Sequence, residues 1–170
     1  MSYARFTAMI AVSTVVMFGL MYLNTYALDH VFFSQTRGWM ALLMGAVMAV
    51  IMIGFMWSMY RSRVANVAIM AAGAVVFAAA LFLVRSQETV GDVAYMKAMI
   101  PHHSIAVMTS ERAHIKDPEV RQLADKIIEA QVREIGEMKG MIARLERSPT
   151  SDSAPDLPSY RDRGAPAPAN

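Results

Sequence analysis

The sequence predicts an all-α protein in which three transmembrane helices precede an extracytoplasmic antiparallel helical hairpin. Two observations carry this prediction. Most apolar residues of the 170-residue chain lie in its first half, in runs long enough to cross a hydrocarbon core. The second half repeats apolar residues at helical spacing on both sides of an Asp-Pro pair, which is a typical helix start. The predicted domains are therefore a membrane domain at 1–85, a hairpin domain at 86–147 and a tail at 148–170.

The three predicted spans cover residues of about 6–28, 39–60 and 64–84. None contains Lys, Arg, Asp or Glu, and each is as long as a ~30 Å hydrocarbon core requires. Aromatic residues near the span ends suit the headgroup level. These are Tyr22, Tyr26, Trp39, Trp57 and Tyr60. The first run is too long for a signal peptide, and no small-residue cleavage site follows it.

Basic residues in the short loops predict the orientation. Arg5 and the "RSR" at 61–63 favour the cytoplasmic side, so the N-terminus is cytoplasmic and everything after Val84 lies outside. In a bacterium this places the protein in the inner membrane with its hairpin in the periplasm, and the absence of cysteine is compatible with an oxidising compartment. No basic patch is interleaved with aromatic residues, so nucleic acid is not an expected partner.

The hairpin follows a short polar connection, "RSQETVGD". Its first helix is predicted from Val90 to about Ile115. Asp117 and Pro118 are a cap and a first-turn proline, so the second helix begins there and ends near Arg147. The tail at 148–170 is rich in Pro, Ser and Asp without periodic apolar residues, and it is predicted to be disordered.

The first helix of the hairpin carries histidines on its apolar stripe. The stretch "YMKAMIPHHSIAVMTSERAH", residues 95–114, contains three methionines and three histidines. At about 100° per residue, a core stripe forms that is flanked by Met99 and Glu111, while His102 projects to its side. The stripe comprises Met96, Ile100, His103, Val107 and His114.

The second helix has a matching stripe that two polar residues, Gln131 and Glu134, interrupt. Its members are Val120, Leu123, Ile127, Gln131, Glu134, Met138, Met141 and Leu145. A turn near residues 116–117 would bring His103 level with Gln131, Met99 with Glu134, and Met96 with Met138. The polar interruptions of the two helices are therefore expected at one height.

Buried polar groups need partners, which are each other, water or a metal. The neighbouring thioethers favour a soft ion, because a mixed thioether and imidazole set suits Cu(I) and, by the same argument, Ag(I). The pattern predicts a site built from Met96, Met99, His102, His103 and Met138, with Met141 as a further candidate. Helical phase favours His103 as first ligand, but Pro101 could rotate that turn, which leaves His102 equally open.

Two other interpretations compete with copper binding. Glu111 and His114 form the Glu-x-x-His pair of di-iron carboxylate bundles, and a dimer would supply two such pairs, with Glu134 or Glu129 as further carboxylates and iron as the metal. Their position beside the turn equally suits a solvated salt bridge. Alternatively, the hairpin is a structural oligomerisation module, because methionines at helical spacing usually fill gaps in a core.

The segments "MIPHHSIAVM" and "LADKIIEAQVREIGEMKGMI" resemble the domain of unknown function 305 family over Asp92 to about Leu145. The resemblance implies a ferritin-like fold and periplasmic copper binding, and the three-span leader is similar to a membrane-anchored branch of that family. It implies that the copper ligands are among seven residues, with four secondary candidates. The seven are Met96, Met99, His102, His103, Met108, Met138 and Met141; the four are Glu134, Gln131, His114 and His30.

A single hairpin is half of a ferritin-like bundle, so its apolar stripe is expected to be buried either in a homodimer that completes the bundle or by docking onto the membrane domain. The predicted function is membrane-anchored Cu(I) or Ag(I) binding for sequestration, handover to copper-handling partner proteins, or resistance, without enzymatic activity. Span two adds a row of methionines that suits ridge packing and would also suit a thioether ladder for Cu(I). The row is Met40, Met44, Met48, Met52, Met56 and Met59. Asp29 and His30 are expected near Met40 as a secondary metal contact.

Overall fold

The computed structural model describes residues 2–151, 153–160 and 162, and within them it is all-helical, as predicted. These residues form five α-helices and two short 3₁₀ turns. The α-helices are α1 (Tyr3–Leu20), α2 (Gln35–Phe55), α3 (Arg63–Ser86), α4 (Asp92–Arg112) and α5 (Pro118–Arg147).

Helices α1, α2 and α3 are each long and apolar enough to cross a membrane, which confirms three candidate spans. Helix α2 lies in the middle and packs against both α1 and α3. Glycines permit the close approach: a Cβ on Gly73 would lie 2.6 Å from Val50 Cγ2. On the other side of α2, a Cβ on Gly45 would collide with Thr14 of α1.

The first span is shorter than predicted, because α1 ends at Leu20 rather than near residue 28. The chain turns at this point, where the Thr25 hydroxyl donates a hydrogen bond to the Tyr22 carbonyl at 2.7 Å. Residues 21–34 therefore form a connector between α1 and α2, and this connector contains the 3₁₀ turn Leu28–His30.

The hairpin has the predicted helices and a clearly marked second start. Asp117 caps α5 by accepting hydrogen bonds from the backbone N–H groups of Glu119 and Val120. Its hydrophobic core joins both helices, and Phe32 of the connector packs against it. The buried core residues are Met96, Ile100, Ile135, Met138, Ile142 and Leu145.

The predicted apolar stripe of α5 is wrong in part. The helix buries Ala124, Ile135 and Ile142 beside Met138 and Leu145, so its contact face is rotated relative to the prediction. The helix is rotated because it packs against the connector as well as against α4. The sequence pattern of α5 alone gives no information about the connector. Four stripe residues are consequently exposed, namely Val120, Leu123, Ile127 and Met141.

After Arg147 the described residues 148–151, 153–160 and 162 form no helix or strand. The predicted disorder of the tail stays a prediction. The rest of that tail, residues 152, 161 and 163–170, lies outside the described residues.

Candidate metal site

A groove of about 540 Å³ runs between α4 and α5. Four thioethers and one imidazole line it, so it brings together Met96, Met99, His103, Met138 and Met141 of the predicted set but not His102. Its lining residues are Asp92, Tyr95, Met96, Met99, His103, Glu134, Glu137, Met138, Met141, Arg144, Leu145 and Thr150.

His103 faces Glu134 across this groove, with 3.1 Å between His103 Nδ1 and Glu134 Oε2. The two atoms are close, but their alignment is not that of a hydrogen bond, so the buried Nδ1 has no hydrogen-bond partner. Burial lowers the pKa of His103, while the Glu134 carboxylate opposes this shift and His102 adds to it. The imidazole is therefore held towards its neutral form, which is the form that binds metals.

The four thioethers differ in exposure. Met96 and Met138 are buried in the hairpin core, Met99 is half-buried beside them, and Met141 is 41% exposed at the rim. The exposure of the thioethers therefore increases from the buried pair in the core to the accessible Met141 at the edge of the groove.

Several predicted ligands lie away from the groove. His102 is exposed, with its ring centroid 6.1 Å from that of His103. Met108 and Gln131 are half-buried and His114 is exposed, and none of the three lines the groove. The predicted pairing of His103 with Gln131 is wrong by about one turn, because His103 meets Glu134 instead.

The predicted metal contact at Asp29 and His30 has a different surrounding. His30 Nδ1 lies 3.0 Å from the hydroxyl of Ser104 on α4, and Asp29 forms a 2.6 Å ion pair with Lys139 on α5. Burial is the main cause that lowers the pKa of His30. Sequence reasoning missed Ser104 and Lys139, although a serine on a core-facing turn was a usable signal.

The Glu-x-x-His pair of the di-iron interpretation, Glu111 and His114, lies apart from the groove, whereas Glu134, one of its further candidate carboxylates, lines it. Glu111 lines a separate cleft beside Tyr26 and Arg121, and interaction with its carboxylate raises the pKa of Tyr26. His114 is exposed. The structure adds no support to an iron site built from these two side chains.

The methionine row of α2 is partly core packing. Met52 and Met56 pack against the buried cluster of Phe6, Ile53 and Tyr60. Met44 and Met48 are half-buried, while Met40 and Met59 are exposed. Thioethers that fill gaps beside aromatic rings have a sufficient structural role.

The donor set of the groove decides which metals it fits. Across the described part of the chain, no three His, Cys, Asp or Glu side chains come together as a metal site. The groove is lined by one imidazole and four thioethers together with the carboxyl groups of Asp92, Glu134 and Glu137. Imidazole and thioether are ligands that soft ions accept.

Comparison with known proteins agrees with the resemblance noted in the sequence. Residues 92–168 match the family model described as "Domain of unknown function (DUF305)". The chain is also 39% identical over 64 residues to "Uncharacterized protein L153" of Acanthamoeba polyphaga mimivirus. The aligned region covers 36% of this chain and 42% of that protein. The match thus spans less than half of the relative's length, and no solved structure matches the chain.

Proposed function

We propose that this protein, whose residues 92–168 carry a domain of the DUF305 family, is a membrane-anchored Cu(I)-binding protein, with Ag(I) as an alternative ion. The observation that carries the proposal is the groove lined by four thioethers and the imidazole of His103, whose buried Nδ1 lies 3.1 Å from Glu134 Oε2 without the alignment of a hydrogen bond. Binding serves sequestration, handover to copper-handling proteins, or resistance, and involves no catalytic turnover. The three apolar helices hold this groove at a membrane surface.

The groove supports Cu(I) for two reasons. Thioether and neutral imidazole ligands are soft and carry no charge, so they stabilise a monovalent soft ion without the carboxylates that Ca²⁺ or Mg²⁺ require. Carboxylates also line the groove, with Glu134 beside His103 and with Asp92 and Glu137 further along it near Arg144, and their negative charge favours a cation. In this proposal Cu(I) takes part in no reaction and is bound exchangeably. The groove residues hold the ion and exclude water.

The same reasoning ranks the ligands. His103, Met96, Met99 and Met138 are the proposed inner set, with Met141 as the residue at the entrance. Glu134 is a neighbour of the ion rather than a preferred ligand, because carboxylate oxygen is hard. The exposed His102 is outside the set.

Anaerobic Cu(I) titration of the detergent-solubilised full chain against a competing chelator tests the proposal. His103→Gln should weaken binding by more than roughly 100-fold, since loss of an outer-shell partner alone typically costs 10–100-fold. The matched controls are His102→Gln, on the same turn of α4 as His103, and His114→Gln, just beyond the end of α4. Both variants should bind Cu(I) as the wild type does. Absence of chelator-resistant Cu(I) binding by the wild type, or equal loss in all three variants, would overturn the assignment.

We also propose that the hairpin faces the periplasm of a bacterial inner membrane. The basic residues Arg5, Arg61 and Arg63 lie at the opposite ends of the spans from the hairpin, which is the arrangement of a cytoplasmic N-terminus. Cysteine labelling in intact cells is informative because the chain has no native cysteine. Cysteine at Glu129 should react with an impermeant maleimide, whereas cysteine at Ser62 should not.

A homodimer remains part of this proposal, and the exposed side of α5 supports it. Val120 is 50% exposed and Leu123 is 59% exposed, next to Ile127 on the same face of the helix. Exposed apolar rows of this kind favour a partner helix. Leu123→Glu should convert a dimer of the solubilised protein to a monomer in mass photometry, while Gln122→Glu should leave the mass unchanged.

A further inference from the structure

We infer that the connector between α1 and α2 is part of the metal-binding domain. It contacts both α4 and α5 outside the groove and thereby positions the ligands of the groove. Ser104 and Lys139 make the contacts on the hairpin side, and Tyr26, Asp29 and His30 make them on the connector side. This inference rests on the proposed function.

The contact at Ser104 is buried and specific. Ser104 is fully buried, and its Oγ accepts a hydrogen bond from the backbone N–H of Tyr26 at 2.8 Å. His30 Nδ1 lies 3.0 Å from the same oxygen. Because a hydroxyl has one proton and two lone pairs, Ser104 can receive the Tyr26 N–H and donate its own proton to a neutral His30. All three polar groups are then satisfied inside the contact.

The contact at Lys139 adds a second fixed point on the other helix. Lys139 Nζ lies 2.6 Å from Asp29 Oδ2, and this interaction lowers the pKa of Asp29. An exposed ion pair by itself contributes little stability. Its importance here is geometric, because it joins α5 to the same 3₁₀ turn whose His30 joins α4.

The two fixed points adjoin the proposed ligands in sequence. Ser104 follows His103 and Lys139 follows Met138, so a shift or rotation of either helix at the connector moves a groove side chain. Phe32 of the connector packs against the core that contains Met96 and Met138. The connector thus reaches the groove through a hydrogen bond, an ion pair and an apolar contact.

These residues are positioning residues, since none of them lines the groove. Outer partners that orient metal ligands typically contribute 10–100-fold to metal affinity. Disruption of the connector contacts should therefore weaken Cu(I) binding by roughly tenfold while all groove residues remain present. The loss should be reversible by any change that restores the contact.

A charge-swap experiment on the full chain in detergent tests this requirement. Asp29→Lys and Lys139→Asp should each weaken Cu(I) binding by roughly tenfold, by placing like charges in contact, and the double variant D29K/K139D should recover most of the wild-type affinity. Asp125→Lys is the matched control, because it makes the same charge change in an ion pair within α5 and should leave the affinity unchanged. Singles that bind normally, or a double variant that does not recover, would overturn the inference.

Hydrogen exchange of the metal-free protein supplies a readout that is independent of copper. The Tyr26 amide should exchange slowly in the wild type, since it donates to a buried oxygen, and quickly in Ser104→Ala. Fast exchange in the wild type would refute the connector contact itself. If the amide is protected but the wild type binds no Cu(I), the proposed function fails and the connector contact stands, so the two failures are distinguishable.

Discussion

Met138 gives the sharpest separation of ligation from packing, because it is both a proposed ligand and a core residue. Its side chain is 7% exposed and belongs to the buried cluster with Met96, Ile135 and Ile142. Met138→Leu keeps the side-chain volume close to that of methionine but removes the sulfur. Met138→Ala removes both.

The two substitutions should differ in stability and agree in metal binding. Volume-conserving exchanges in a core usually cost less than about 1.5 kcal/mol. Truncation of a buried methionine to alanine costs roughly 2–5 kcal/mol, because a cavity remains. Both variants lose the thioether, so both should lower Cu(I) affinity, and only the alanine variant should also lower the unfolding midpoint of the metal-free protein substantially.

The assay pairs chemical unfolding of the metal-free protein with Cu(I) competition titration, each in the same detergent. Met108→Leu is the matched control, since Met108 is half-buried on α4 but outside the groove. If Met138→Leu reduces the affinity no more than Met108→Leu does, the sulfur of Met138 only fills space. The assignment of a thioether site to this groove would then be refuted at its centre.

Three further predictions concern stability. Asp117→Ala should lower the unfolding free energy by about 0.5–2 kcal/mol through loss of the α5 cap; an unchanged midpoint in chemical unfolding would contradict the capping role. Gly73→Leu should loosen α2 from α3, since even its Cβ would lie 2.6 Å from Val50 Cγ2, and SDS titration should show earlier unfolding than for Gly54→Leu, where the position is open. Burial lowers the pKa values of His30 and His103, so the unfolded chain binds protons first as the pH falls below about 6.5 and the melting temperature of the metal-free protein should fall there; a flat profile between neutral and mildly acidic pH would contradict it.

Local signals in the sequence predicted that five helices form, but not where α1 ends or how the helices of the hairpin are rotated relative to each other. The Asp117-Pro118 start of α5 is encoded by adjacent residues, and the structure begins the helix there. The groove residues Met96, Met99 and His103 follow from the helical period alone. The choice between His102 and His103 required the actual packing, which exposes the first and half-buries the second.

The remaining errors arose from contacts between distant segments. The pairing of His103 with Glu134 instead of Gln131 depends on the geometry of the turn between α4 and α5. The periodicity of apolar residues within a helix does not determine that geometry. The surroundings of Asp29 and His30 depend on a connector that meets the hairpin more than 70 residues later in the chain, as the separation of Tyr26 and Ser104 shows. The hydrophobic pattern predicts which residues of a helix are buried, but not which neighbouring segment covers them.

The distance in sequence between Tyr26 and Ser104 also fixes an order of events during synthesis. The connector leaves the ribosome before the hairpin, so the contact between Tyr26 and Ser104 forms only after α4 has been made. Contacts of such long sequence separation form slowly. If α1 and α2 span a membrane as proposed, the end that they share must lie on the same side as the hairpin for this contact to form, and the contact then reports on how the first two spans insert.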